Sequence, residues 1–378
     1  MVIAVNTRFL AMENPDGFGR FTKEVLERMV KANPDHQFHF FFERPFPPQA
    51  IFSSNITGHV LSPPARHPLL WKYWFDVKVA AMLRKLKADV FFSPDGQCSL
   101  TTKVPQCVVV PQLGFLHHPG SYRKTHQRYY QFYTPKFIRK ATTVLTVSNF
   151  SKKDIIDRYQ TPENKIVVVY KGVKPIFQPL DFNAQNAVKD QYTGGTEFFL
   201  YVGAIHPRKN LVNLLKAFSI FKRRLHSSFK LVLAGRMAWK NDEFSELLKT
   251  YKYKDDVIVT GLLEEVELAK LMASAYAFVY PSPFEGFGVP VIEAMKCGVP
   301  VLTSKNSAME EITEGAALYF DPENPAEMGE KLMRVYKDED GRKELIQKGT
   351  SIAQQYTWER AADAVWQSIM KTATNFKH

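Results

Sequence analysis

Cysteine is scarce, with Cys98, Cys107 and Cys297 the only three in 378 residues, and none forms a CxxC pair. So few and so scattered, they exclude a disulfide framework, offer no zinc-ligand pattern and fit a reducing compartment. No apolar run approaches the roughly 18 residues that span a bilayer. The first residues, Val2-Ile3-Ala4-Val5, carry no basic leader or cleavage site, so a cytoplasmic protein is expected. HExxH, Walker A, GxSxG and C2H2 patterns are missing, which sets aside metalloprotease, P-loop NTPase, α/β-hydrolase and zinc-finger chemistry. The acidic run Asp338-Glu339-Asp340 reads as a solvated loop, not a metal site.

What is present suits a globular chain. Hydrophobic residues make up 45% and charged residues 23%, which excludes disorder and fibrous structure. The length favours two α/β-sized domains over one. The formal charge of +12 is uneven: residues 1–180 hold 25 Lys and Arg against 12 Asp and Glu, the rest 25 against 26. Such asymmetry points the first half at something anionic, whether lipid head groups, an acidic glycan or nucleic acid, with an idle basic surface as the alternative. Residues 121–140 hold six basic residues, no acid and six Tyr or Phe. This mixture suits a membrane interface or a core-packing helix that Pro135 would interrupt or start. In residues 71–87, Trp74, Val77, Ala81 and Leu86 form a stripe that favours core packing.

Short Val-, Ile- and Phe-rich runs alternate with amphipathic stretches, the pattern of a parallel sheet. Strands are expected at 2–6, 37–42, 89–92, 107–110, 143–147 and 166–170, then at 198–202, 230–234, 257–260, 277–280 and 300–303. The polar, Pro- and Gly-containing stretch 174–196 separates the two sets. The fold class is therefore α/β, with two doubly wound halves.

Four clusters fall at carboxyl ends of strands or at helix starts, where open α/β sheets bind ligands. In Pro281–Met295, Gly286 and Gly288 allow close backbone approach, and the helix start at Phe287 to Val289 faces any phosphate placed there. Glu285 and Glu293, with seven residues between them, can accept hydrogen bonds from neutral hydroxyls; a capping acid and a surface acid are the alternative. Gly203 precedes Arg208 and Lys209, a candidate phosphate clamp or a pair of solvated cations, and Asn210 reads as a helix N-cap. Gly17 and Gly19, with Arg20 behind them, form a glycine loop before a helix at 21–30, although a lone GxG is also an ordinary turn. Gln112, His117 and His118 follow the strand ending at Val110, where the histidines are candidate bases, substrate ligands or structural groups.

These residues together resemble the retaining, nucleotide-sugar-dependent glycosyltransferases of the GT-B fold, of the mannosyl- and glucosyltransferase type that acts on bacterial surface glycans. The similarity spans nearly the whole chain and is densest from Phe198 to Pro322. It implies two Rossmann-like domains facing each other across a cleft. Residues 1–175 would form the acceptor domain, 176–196 a linker and 197–359 the donor domain, with a helix at about 360–378 packing back on the first. The resemblance assigns catalytic roles to Glu285, Arg208 and Lys209. It places Gly17, Gly19, Gly203, Gly286, Phe287, Gly288, Val289 and Glu293 around the nucleotide sugar, and Arg20, Gln112, His117 and His118 on the acceptor side. No obligatory cofactor or metal is implied; a GDP- or UDP-sugar is the co-substrate.

The implied partners are that donor, a glycan or lipid-linked acceptor of polysaccharide or lipopolysaccharide assembly, and an anionic membrane surface for the basic half on the inner face of the plasma membrane. No nucleic acid is implied. The chain departs from the family in two places. Pro111-Gln112 stands where His-Asp is usual, and Ala204 stands where an Arg follows the glycine. Two other readings are a sugar-nucleotide epimerase on the same fold and a catalytically inactive glycan- or lipid-binding relative.

Overall fold

The apolar runs of the first half lie side by side as a parallel sheet in a computed structural model that describes residues 1–11, 17–65, 67–237 and 242–374. Its strands are β1 (Val2–Asn6), β2 (Gln37–Phe42), β3 (Ile56–Val60), β4 (Val90–Ser93), β5 (Gln106–Val109), β6 (Thr143–Thr146) and β7 (Ile166–Val168), in the order β3-β2-β1-β4-β5-β6-β7. The second sheet holds β8 (Phe198–Val202), β9 (Lys230–Ala234), β10 (Val257–Gly261), β11 (Ala277–Tyr280), β12 (Val301–Ser304) and β13 (Ala317–Phe320), in the order β10-β9-β8-β11-β12-β13. In both, the first strand has its sequence successor on one side and a later strand on the other. That arrangement makes the carboxyl ends of β1 and β4, and of β8 and β11, switch points where loops diverge and leave a crevice.

Both faces of these sheets are covered, so the central strands are apolar up to their carboxyl ends; β4, β8 and β11 are buried at every position. Strands β3 and β13 escape sequence reading. β3 lacks that signature, being a half-exposed edge strand with Gly58 beneath the ring of Phe46, whereas β13, at an edge of the second sheet, is apolar and was passed over.

Helix ends follow local chemistry. The Asn324 side chain accepts from the Ala326 and Glu327 amides, and Pro325 opens the helix Pro325–Lys337. Ser148 caps Asn149–Tyr159 through the Ser151 amide, while the Ser151 hydroxyl donates to the Pro111 carbonyl at 2.9 Å. Asp338 accepts from the Gly341 amide, so this acid caps the next helix.

Three helical expectations need correction. Pro135 neither starts nor stops its helix, which runs unbroken over Lys124–Lys140 and buries Tyr129, Phe137 and Ile138. The stripe through Trp74, Val77, Ala81 and Leu86 holds at Trp74, which is buried, and at Leu86, which packs on the core, and fails at Val77 and Ala81, which are exposed. A π-helical segment, Trp74–Val79, shifts the register, so that Phe75, Val79 and Leu83 turn inward. The helix expected at 21–30 spans Gly17–Ala32, so Gly17 and Gly19 belong to its first turn; Asn14, Pro15 and Asp16 lie outside the described residues.

The chain divides into two units, Met1–Gly172 with Trp358–His378, and Val173–Thr357. The stretch 176–196, expected as a linker, contains the helix Phe182–Thr193 and is part of the second unit. Asp181 caps that helix through the Ala184 amide, and Gly194 ends it in a left-handed conformation. The helix Trp358–Thr374 packs into the core of the first unit through Trp358, Val365 and Ile369, and Thr372 donates to Thr143 at 2.7 Å.

Candidate active site

Two loops meet at the switch point of the second unit. After β8 the chain passes Gly203, whose amide donates to the Ala234 carbonyl at 2.9 Å, and turns through a short 3-10 segment, Pro207–Lys209. His206 caps that segment by accepting from the Arg208 amide at 3.1 Å. Asn210 stands before the helix Leu211–Leu225 with φ +61° and caps nothing. Its side chain instead donates to the Pro281 and Pro322 carbonyls at 3.2 and 2.7 Å and ties the first loop to the second.

The second loop follows β11 and brings Glu285 onto the cations of the first. Lys209 donates to both Glu285 Oε1 and the Tyr280 hydroxyl, the latter at 2.9 Å. Arg208 Nη1 reaches the same Oε1 at 3.2 Å, and the Ser282 hydroxyl reaches it at 2.8 Å. Lys209, Glu285, Ser282 and Tyr280 are buried, so the reading of solvated cations is wrong for Lys209. Burial would push the Glu285 carboxyl up, but the charges of Lys209 and then Arg208, with hydrogen bonds from Lys209 and Ser282, lower it to about 2. Burial, and next the Glu285 charge, pushes the Tyr280 phenol well above its usual range.

Two cations share the Glu285 carboxylate beside the start of the helix Val289–Lys296, and the charge of Glu293 also acts on Tyr280 in this cluster. Gly288 precedes that helix at φ +88°, with Met309 at 3.2 Å from where a Cβ would stand. Two cations at one strand end can hold an anion and stabilise charge that builds on it. Glu293, in the same helix, is half-buried.

The structure thus brings Arg208, Lys209, Glu285 and the Gly286–Val289 turn together. Sequence reading missed Ser282 and Tyr280, which complete the cluster, and Tyr201, whose buried ring stacks on Tyr280 at 6.0 Å. Their signal was position alone, at or just past the ends of β8 and β11.

In the first unit, Gly19 is buried and Arg20 exposed. His117 is bound through Nε2 to both carboxylate oxygens of Asp154 at 3.0 and 2.9 Å, an inter-helix tie. His118 ends the short helix Gly114–His117. Gln112, together with Arg8, Glu43, Trp71 and Asp95, lines a pocket at the carboxyl ends of β1, β2, β4 and β5. Sequence reading did not single out Arg8, Glu43 or Asp95.

The family described as Glycosyl transferases group 1 matches residues 184–352, and Glycosyltransferase Family 4 matches residues 15–176. The chain belongs to the group 1 glycosyltransferases of the GT-B fold. It is 26% identical over 355 residues to O-antigen chain mannosyltransferase B of Escherichia coli, covering 91% of this chain and 93% of that one. Among solved structures it resembles WaaG, a glycosyltransferase involved in lipopolysaccharide biosynthesis, with TM-score 0.74 and 15% identity over 97% of this chain and 99% of that one. It also resembles Anabaena Alr3699/HepE in complex with UDP-glucose, with TM-score 0.74 and 15% identity over 99% of this chain and all of that one.

Proposed function

We propose that this glycosyltransferase moves a mannosyl residue, with retention of configuration, from a nucleotide-diphosphate sugar to a glycan or lipid-linked acceptor in O-antigen or lipopolysaccharide assembly. The second unit takes the donor and the first the acceptor. The observation that carries the donor assignment is the convergence of Arg208 and Lys209 on the single carboxylate Glu285. Arg208, Lys209 and the helix start at Val289 stabilise the charge that develops on the leaving diphosphate. Glu285 fixes both cations and orients the donor sugar, and Glu293 accepts from the ribose hydroxyls. The acceptor hydroxyl's proton passes to the leaving phosphate, so no side-chain base is required. The mannosyltransferase relative supports a mannosyl donor, for which GDP-mannose is the first candidate, and a UDP-sugar is the second.

We further read the protein as cytoplasmic and held peripherally on an anionic membrane face. Arg123, Lys124, Arg128 and Arg139 are exposed around the helix Lys124–Lys140. Phe132 is 57% exposed beside them, with Lys136 Nζ 3.3 Å from its ring centroid. Among the described residues, no helix is long and apolar enough to cross a membrane.

The test is product analysis with GDP-mannose and with UDP-glucose, each with and without an O-antigen oligosaccharide acceptor. A mannosylated product with retained configuration supports the proposal. Donor isomerisation without acceptor would establish the epimerase instead, and donor binding without turnover would establish the inactive relative.

A further inference from the structure

Lysine is ordinarily a poor pointer, since its ammonium is a compact charge on a flexible four-carbon stem with three donors that turn freely. Lys209 is held differently. Its Nζ donates to the Tyr280 hydroxyl at 2.9 Å and to Glu285 Oε1, and lies 5.1 Å from the centroid of the Tyr280 ring. Two anchored N–H bonds of a tetrahedral ammonium fix the direction of the third. Among the described residues no acceptor meets that third N–H, although the side chain is only 10% exposed. Buried donors are nearly always paired, so an ammonium left in this state is prepared for an anion.

Tyr280 can serve as an anchor because its own ring is held. It stands in a row of three near-parallel buried rings. Phe278, two residues earlier on β11, lies at 5.9 Å and 20°, and Tyr201, on the neighbouring β8, at 6.0 Å and 16°. From β12 the Thr303 hydroxyl donates to the Tyr280 carbonyl at 3.1 Å and fixes the strand end that carries the ring. Burial, and next the Glu285 charge, keeps the phenol protonated, so it meets the ammonium as a neutral acceptor. Glu285 alone would not aim Lys209. Arg208 and Ser282 share its Oε1, and an ammonium tied to that single atom turns about one bond.

We propose that Tyr280 is a positioning residue: its hydroxyl, by taking one N–H of Lys209, aims another at the terminal phosphate of the donor. The proposal rests on the reading that Lys209 faces the donor diphosphate. When the bond between the sugar and the terminal phosphate oxygen breaks, the electron pair stays on that oxygen, so the charge that Lys209 must meet develops there. A fixed donor meets it without reorientation, whereas a free one must first be ordered. Tyr280 acts through Lys209 and touches neither sugar nor nucleotide.

The test replaces one oxygen. Tyr280→Phe keeps the row of rings and deletes the anchor; the full chain and the variant are titrated by calorimetry with GDP, UDP, GMP and UMP, and turnover is measured with GDP-mannose. The variant should bind whichever diphosphate the wild type prefers at least fivefold more weakly, and the matching monophosphate less than twofold more weakly. Its kcat should fall at least fivefold while the donor KM rises by a smaller factor. If Tyr280→Phe does not fold, Tyr280→Leu carries the same comparison. Unchanged diphosphate affinity, or equal losses for diphosphate and monophosphate, would overturn the proposal, the second by giving the hydroxyl a merely structural role. Wild-type chain that binds neither diphosphate would instead bring down the donor reading, and the proposal with it.

Discussion

Gly235 lies so close to Gly203 that a Cβ on Gly235 would stand 2.0 Å from the Gly203 carbonyl oxygen. Its φ of +153° is also one that side chains rarely adopt. The contact clamps the loop after β9 onto the loop after β8, and the latter delivers Arg208 and Lys209. Gly235→Ala should therefore destabilise the protein by roughly 2–4 kcal/mol, from backbone strain and overpacking together. It should also weaken donor binding. Denaturant unfolding and a nucleotide titration read both, and wild-type values in each would show that the clamp is dispensable.

Glu285→Gln should cut turnover at least tenfold, because the buried Lys209 loses its counter-charge and Arg208 its anchor. Removing one member of a buried pair should also cost about 3 kcal/mol of stability near neutral pH. The folded carboxyl titrates at about 2 against an ordinary 4.5, so its stabilisation is complete above about 4.5 and is lost as pH falls toward 2. The stability gap between wild type and variant should therefore be constant from pH 7 to 5 and narrow below that. Urea melts at stepped pH measure it, and a gap that widens on acidification would contradict the ion pairing.

A panel of nucleotides and nucleotide sugars should raise the melting temperature by several degrees for one base, as any ligand specific to the folded state does. The double variant Arg208→Ala/Lys209→Ala should lose that shift. Retention of the full shift would move the diphosphate elsewhere.

Neutralising Arg123, Lys124, Arg128, Lys136, Arg139 and Lys140 should weaken flotation with anionic vesicles and leave donor-induced stabilisation intact. At about 1 kcal/mol for each cation near the surface, the loss should exceed a hundredfold at low salt. Equal flotation of variant and wild type would remove the membrane surface from the proposal.

The sheets were legible because buried parallel strands such as Phe198–Val202 are apolar on both faces, a pattern visible without neighbours. The cluster around Glu285 was legible for a related reason: Gly203, Arg208, Lys209 and Glu285 each sit just past such a strand. What could not be read was pairing across the sequence. Arg208 and Lys209 were found as a cation pair and Glu285 as a separate carboxylate, and only the fold joins them across 76 and 77 residues. His117 looked like a candidate base because Asp154, its partner, lies on another helix. The pocket of the first unit was harder still, since Asn6, Arg8, Glu43 and Asp95 come from three strand ends and carry no motif. The helix register at Trp74–Val79 was lost to a local π turn that leaves no compositional mark.

The first unit is discontinuous: its core is closed by the helix Trp358–Thr374, on the far side of a unit that begins at Val173 and ends at Thr357. On the ribosome, residues 1–172 emerge first yet must wait for the whole second unit before Trp358, Val365 and Ile369 can fill their places. The part of the face over β4, β5 and β6 that this helix packs on therefore stays uncovered for that interval, while the second unit has its own residues already made. The order of synthesis and the order of completion are inverted, and the part of the chain made first is finished last.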